Sequence, residues 1–225
     1  MRWLTGLVLV LVVGVAVNQA QEKKAAGKPD PAFAPVKDDP ALPRVLIIGD
    51  SISIGYTVPT RERLAGKANV HRIPANGGPT SNGLAKIKGW LGTDRWDVIH
   101  FNWGLHDLKR DSDKHQVSLD EYEKNLRELV RLLQETKAKL IWASTTPVPA
   151  GKLVPPRSND DVIAYNAAAR RIMDENSIAI DDLYEFALPR LKEIQQPMNV
   201  HFTQSGSTAL AEQVAAAIEK QLPKK

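Results

Sequence analysis

The 225-residue sequence contains no cysteine, so disulfide bonds and a lipid thioether at the chain terminus are both excluded. Export to an oxidising compartment is compatible with that absence but does not follow from it. Histidine is scarce as well. His71, His100, His106, His115 and His201 show no close ligand spacing, so neither a metal centre nor any other cofactor is expected. Charge of one sign is missing too: 30 Lys and Arg stand against 26 Asp and Glu, for a net +4 spread through mixed clusters rather than along a basic stripe. That argues against nucleic acid as a partner, and no obligate protein partner is evident. Nor does an apolar run reach the length of an ordinary bilayer crossing. Leu4 to Val17 is uncharged and follows Arg2, and Ala16 or Ala20 offers a small residue for cleavage, so residues 1–20 read as an export signal, with an uncleaved membrane anchor as the alternative. The expected location is periplasmic or secreted.

Residues 21–43 are rich in Lys, Ala, Pro and Asp without an apolar period and read as a tether or wrapping arm. Residues 44–225, with the 43% hydrophobic and 25% charged residues of the chain as a whole, suit one globular domain.

That domain opens on Val45-Leu46-Ile47-Ile48, an apolar run that stops at Gly49-Asp50-Ser51. Four aliphatic residues bounded by glycine suit a central parallel strand covered on both faces. Ser51 then falls at the carboxyl end of a strand and the start of a helix, where α/β sheets place their ligands and where unpaired N–H groups favour negative charge. Taken alone, the tripeptide would read as a helix cap.

Downstream, Pro59–Leu64 is a short helix candidate, Asn69–Ile73 a strand, and Asn76-Gly77-Gly78-Pro79-Thr80-Ser81-Asn82-Gly83 a loop able to present the Gly78 N–H to a ligand beside Ser51. Gly83–Leu91 is helical, and Trp96–Asn102 is a strand ending in Trp103-Gly104-Leu105-His106-Asp107. His100 lies within that strand and reads as a sheet histidine, whereas His106 lies beyond its end. Ser118-Leu119-Asp120-Glu121 is a capping box opening a helix to about Thr136. Lys139–Ser144 is a strand, and Thr145–Arg157, with four prolines, is a loop expected to form a substrate wall. A helix at Asn159–Asn176, a strand at Ile178–Ile180, a helix at Asp182–Leu191 interrupted at Pro189, and a last helix from Gln204 to Leu222 complete the chain. Five strands alternating with helices predict a three-layer α/β/α sandwich around a mainly parallel five-stranded sheet.

Ahead of the last helix stands Asn199-Val200-His201. Because strand-to-helix loops open on one edge, His201 can meet Ser51 and act as the base that a serine nucleophile needs.

Together these blocks resemble the SGNH (GDSL-type) hydrolase family, which carries serine, glycine, asparagine and histidine in that order. Gly49-Asp50-Ser51 is similar to the first block, Gly78 to the second, Gly104-Leu105-His106-Asp107 to the third, and His201 followed by Gly206 to the fourth. The resemblance spans Arg44 to Leu222 and implies a flavodoxin-like hydrolase fold. It also implies an ester hydrolase in which Ser51 attacks, His201 moves the proton, and the N–H groups of Ser51 and Gly78 with the His106 side chain hold the oxyanion. Two positions depart from the pattern. His106 replaces the family's asparagine, with Asn102 as a nearby alternative amide; Met198 stands where an aspartate normally precedes the histidine by three residues. The acceptor for the second nitrogen of His201 is then a backbone carbonyl within residues 197–199, the Asn199 side chain, or a carboxylate such as Asp107. The backbone carbonyl is the expectation, since it requires no particular side chain.

Asn102, Trp103, Asp107 and Thr146 are candidate substrate-binding residues, and Trp90, Trp103 and Trp142 would serve as sugar platforms if exposed. The activity expected is hydrolysis of an acyl ester, acetyl above all, on a small molecule or polysaccharide. A lipid or thioester acyl hydrolase and a weakly catalytic carbohydrate-binding relative are the competing readings.

Overall fold

A computed structural model describes residues 30–223; the expected export signal lies outside them. The strands are β1 (Arg44–Ile48), β2 (Asn69–Arg72), β3 (Val98–Phe101), the hairpin pair β4 (Arg110–Asp111) and β5 (Lys114–His115), β6 (Lys139–Ala143) and β7 (Ala179–Asp181). Between them run α1 (Ser51–Arg63), α2 (Thr80–Leu91), α3 (Leu119–Glu135), α4 (Asn159–Glu175), α5 (Leu183–Ala187), α6 (Leu191–Ile194) and α7 (Gln204–Glu219).

Five strands form one sheet in the order β2-β1-β3-β6-β7, every pairing parallel. The expected sandwich is therefore present. Helix α1 packs on α7, while α2, α3 and α4 pack in series. β1 lies inside the sheet between β2 and β3, and Val45, Leu46, Ile47 and Ile48 are all buried. Strand order reverses between β1 and β3, which creates the crevice where open α/β sheets bind ligands. The loops after those two strands carry Ser51 and His106.

Most element boundaries agree with the apolar periods to within a few residues, but the helix expected to start at Ser51 runs on through Pro59 to Arg63, so Pro59–Leu64 is not a separate helix. Proline lacks the N–H that a helix interior uses and so reads as a helix start. Here Pro59 sits inside α1, along which the hydroxyls of Ser53, Thr57 and Thr60 each donate at 2.7 Å to a backbone carbonyl of the preceding turn. The β4–β5 hairpin has no mark in the sequence, because two-residue strands have no readable period. Arg110 anchors it on α4, forking onto Asp161 at 3.0 and 2.8 Å.

Among the described residues, those upstream of β1 are packed as well. Residues 30–43 lie along the edge strand β2: Asn69 bonds the backbone of Asp39 and Leu42, and Asp38 bridges His71 at 2.6 Å and Arg44 at 2.7 Å. Phe33 stacks over the guanidinium of the buried Arg72, 4.7 Å from ring centroid to Cζ.

Candidate active site

The nucleophile turn is built by Asp50. Its carboxylate accepts from the Ile52 N–H at 2.9 Å and caps α1, placing Ser51 at the first helical position. A backbone N–H there has no acceptor within the helix, so that of Ser51 is available to a developing anion. The neighbouring loops are laced to this turn. Gly77 N–H donates to Gly49 O at 3.0 Å, Asn102 N–H donates to Ile48 O at 3.0 Å, and Arg72 reaches the carbonyls of Gly49 and Ala75 at 3.4 and 3.3 Å.

His201 arrives from the far end of the chain because α7 lies on α1. The segment before α7 folds back on itself through a bridge between Gln195 and Phe202, with Gln196 N–H donating to His201 O at 2.9 Å and Thr203 N–H to Ile194 O at 2.8 Å. At its tip Gln196-Pro197-Met198-Asn199 forms a turn closed by Asn199 N–H on Gln196 O at 3.2 Å. Proline at the second position and a φ of +51° at Met198 are what a type II turn asks for. Gly206 is required at the start of α7: a Cβ there would lie 2.1 Å from Ile194 O.

The outcome is a continuous hydrogen-bonded chain. Asn199 Oδ1 stands 2.7 Å from His201 Nδ1, and His201 Nε2 stands 2.9 Å from Ser51 Oγ. An amide oxygen only accepts, so Nδ1 carries the hydrogen and Nε2 is free to take the serine proton. The expectation of a backbone carbonyl behind His201 is thus corrected to the Asn199 side chain. Asn199 Oδ1 also accepts from the His201 N–H at 3.1 Å, an Asx turn that aims the oxygen back at the ring two residues on. That local propensity was the signal in the sequence. Met198, with its left-handed backbone, stands at the tip of this turn and is 64% exposed.

Ser51, His106, Asn199 and His201 line one cleft of about 410 Å³, together with Leu105, Lys152, Leu153, Val154, Pro155, Arg157, Met198 and Val200. The proline-rich loop supplies one wall, as expected. Burial lowers the pKa of His106 below the ordinary histidine value; Asp50 opposes this, while Lys109, Arg157 and His201 reinforce it. A neutral ring that can donate one N–H suits an oxyanion. Gly78 has φ +62°, and its N–H donates to Asn76 Oδ1 at 2.9 Å, a bond that an oxyanion would have to share or displace.

The candidate substrate-binding residues Asn102, Trp103, Asp107 and Thr146 do not line this cleft. Asn102 Nδ2 donates to Ala143 O at 2.8 Å and Thr145 Oγ1 at 3.2 Å, so its amide hydrogens are committed to loop closure and cannot replace His106. Trp103 is 1% exposed under Gly83, where a Cβ would come within 2.8 Å of its indole, and Trp142 is fully buried, so neither is a sugar platform. Trp90 is half-buried against the core. Thr146 is buried. Asp107 is also buried, its Oδ1 accepting from Thr80 N–H at 2.8 Å and Thr80 Oγ1 at 2.5 Å, so it caps α2 rather than serving His201. Burial pushes its pKa up to about 7 against the opposing pull of those two bonds. His100 is a sheet histidine, with Nε2 2.9 Å from Asp181. Among the described residues no three His, Asp or Glu side chains converge as a metal cage.

A serine hydrogen-bonded to a histidine at the carboxyl edge of a parallel sheet, with the free N–H of a helix start beside it, is the apparatus of a serine ester hydrolase. The chain belongs to the GDSL-like lipase/acylhydrolase family, whose model matches residues 47–209, and it is accordingly a carboxylic ester hydrolase. Solved structures share the fold at low identity. An acetyl xylan esterase, AlAXEase, is 18% identical with a TM-score of 0.68 over 78% of this chain and 99% of its own. A lipase/acylhydrolase from Enterococcus faecalis is 20% identical with a TM-score of 0.70 over 81% and 98%, and an acetylxylan esterase from Geobacillus stearothermophilus is 20% identical with a TM-score of 0.66 over 78% and 94%. Among curated proteins, none matches the sequence.

Proposed function

We propose that this protein is an exported serine esterase that removes a short acyl group, acetyl above all, from a carbohydrate. The observation that carries the mechanism is the Asn199–His201–Ser51 chain at 2.7 and 2.9 Å. Ser51 Oγ attacks the ester carbonyl as His201 Nε2 takes its proton. The tetrahedral oxyanion lies against the N–H groups of Ser51 and Gly78 and the His106 ring. Collapse expels the sugar alkoxide, which leaves with the proton from His201; a water activated by the same nitrogen then releases the acid. One oxyanion donor is worth roughly 3 to 4 kcal/mol of barrier in comparable enzymes.

The acetyl and carbohydrate assignments draw on the cleft of about 410 Å³ and on the likeness to acetyl xylan esterases. Export draws on the character of residues 1–20. A lipid or thioester acyl hydrolase is the second reading, and it draws on the apolar lip of Val154 and Met198, 90% and 64% exposed.

Acetate release from a panel of acetylated glycans, with 4-nitrophenyl acetate as a general ester, tests the proposal. Ser51→Ala and His201→Asn should abolish turnover with the fold retained, whereas His106→Asn should keep a substantial fraction. More than a trace of activity in Ser51→Ala overturns the nucleophile, and the reverse ranking of the histidine variants overturns their roles. Preference for long-chain acyl esters over every glycan favours the second reading.

A further inference from the structure

The cleft beside Ser51 is lined by two cations, Lys152 and Arg157, and by no aspartate or glutamate. Arg157 is half-buried; its Nε donates to Leu105 O at 2.9 Å and its Nη1 to Pro155 O at 3.3 Å, both uncharged acceptors. Among the described residues no carboxylate lies within ion-pair distance of it, as is also true of Arg61, Arg72 and Arg190, whereas Arg44, Arg63, Arg95, Arg110, Arg127, Arg131, Arg170 and Arg171 each hold one. Burial lowers its pKa, and Asp50, the one charge that pulls the other way, is itself buried and spent on capping α1. Lys109 lies close enough that the charge of Arg157 depresses its pKa in addition to burial.

A partly desolvated guanidinium without a counter-charge is costly in the folded state and is neutralised when an anion binds. Its position says where that anion would sit. Arg157 hangs from the carbonyl of Leu105, the residue before His106, and lines the same cleft as Ser51 and His106. Arg157 also borders an adjoining hollow of about 420 Å³ between Val148 and Leu191, which gives a longer substrate somewhere to continue.

We propose that Arg157, assisted by Lys152, binds a carboxylate of the substrate, so that the esterase acts on acidic rather than neutral esters. This rests on the serine-esterase reading above and adds the substrate class. The carboxylate can belong to the alcohol, as in an acetylated oligosaccharide bearing uronic acid, or to the acyl group, as in the monoester of a dicarboxylic acid.

Two matched pairs separate these sources: an acetylated uronate oligosaccharide against its carboxyl-reduced counterpart, and a 4-nitrophenyl hemisuccinate against 4-nitrophenyl butyrate. In at least one pair the native enzyme should favour the anionic member by about tenfold or more in kcat/KM at low salt, mainly through KM. Preference in the first pair places the carboxylate on the sugar, and preference in the second places it on the acyl group. Arg157→Gln should bring the ratio towards one. Lys152→Gln, on an exposed side chain with no part in packing, should lower the ratio by a smaller factor and keeps the test open should Arg157→Gln not fold. A native ratio near one in both pairs, with the neutral esters turned over, overturns the carboxylate site while leaving the esterase intact. Absence of turnover on all four substrates instead removes the esterase reading, and the carboxylate site with it.

Discussion

Asn199 shows how little separates a triad from its neutral analogue. It fixes the ring and tautomer of His201 as a carboxylate would, but it cannot stabilise the imidazolium by charge. Asn199→Ala should therefore lower kcat by roughly 10²-fold, well short of the ~10⁴ associated with neutralising a triad aspartate. Asn199→Asp adds the missing charge, which favours the protonated ring. The acid limb of its kcat/KM profile should move to higher pH, and kcat on the plateau should rise. A pH–rate series on the three proteins decides this; an alanine variant indistinguishable from native would remove Asn199 from the mechanism. At the oxyanion position the Gly78 N–H is held by Asn76 and must share or give up that bond, whereas the His106 ring is half-buried beside the cleft.

Secondary-structure elements bring residues 150 positions apart to within 2.9 Å. The contact depends on α7 lying close to α1 and to the loop before it. A Cβ at Gly55 of α1 would come within 2.9 Å of Ser207 Oγ, a side chain able to turn aside, whereas one at Gly206 would strike the Ile194 backbone carbonyl at 2.1 Å. Gly206→Ala should accordingly cost about 3 kcal/mol or more of stability and lower kcat as well, because the Gln195–Phe202 segment must shift and carry His201 with it. Gly55→Ala should cost less and leave kcat nearly unchanged. Urea unfolding and steady-state kinetics on the two variants test the difference, and equal kcat values would show that the segment holds His201 independently of α7.

Across the whole molecule, stability is tied to pH through a buried carboxyl. Asp107 has its pKa raised to about 7 by burial, against about 4 for an exposed aspartate. The folded state therefore holds that proton more tightly than the unfolded chain. Its contribution is fully present below pH ~4 and is lost as pH rises towards 7. Asp107→Asn, which keeps an oxygen for Thr80, should gain stability relative to the native chain between pH 4 and 8, read as the difference in urea midpoints. A difference that stays constant over that range would mean that Asp107 does not titrate there. The arm at residues 30–43 acts on the same scale. It extends the folded unit along β2 and lays Phe33 over Arg72, whose guanidinium reaches both the nucleophile turn and the glycine loop.

The sequence alone determined the sheet, the order of the chemical blocks and the pair Ser51 and His201, because each depends on local pattern: an apolar run ending in glycine, a period of 3.6, a cap, a loop on the strand edge. What only the tertiary structure decided depends on residues distant in sequence. Trp103, Trp142 and Thr146 carry no local mark that separates them from exposed binding residues; Trp103 lies under Gly83, and the other two are buried by the fold around them. The commitment of Asn102 to Ala143 and Thr145, and of Asp107 to Thr80, likewise required partners dozens of positions away. Asn199 lies between the two cases. Its Asx turn is local, yet its choice over a backbone carbonyl follows from the turn at Met198 and from the packing of α7 on α1, which together aim the imidazole at the serine.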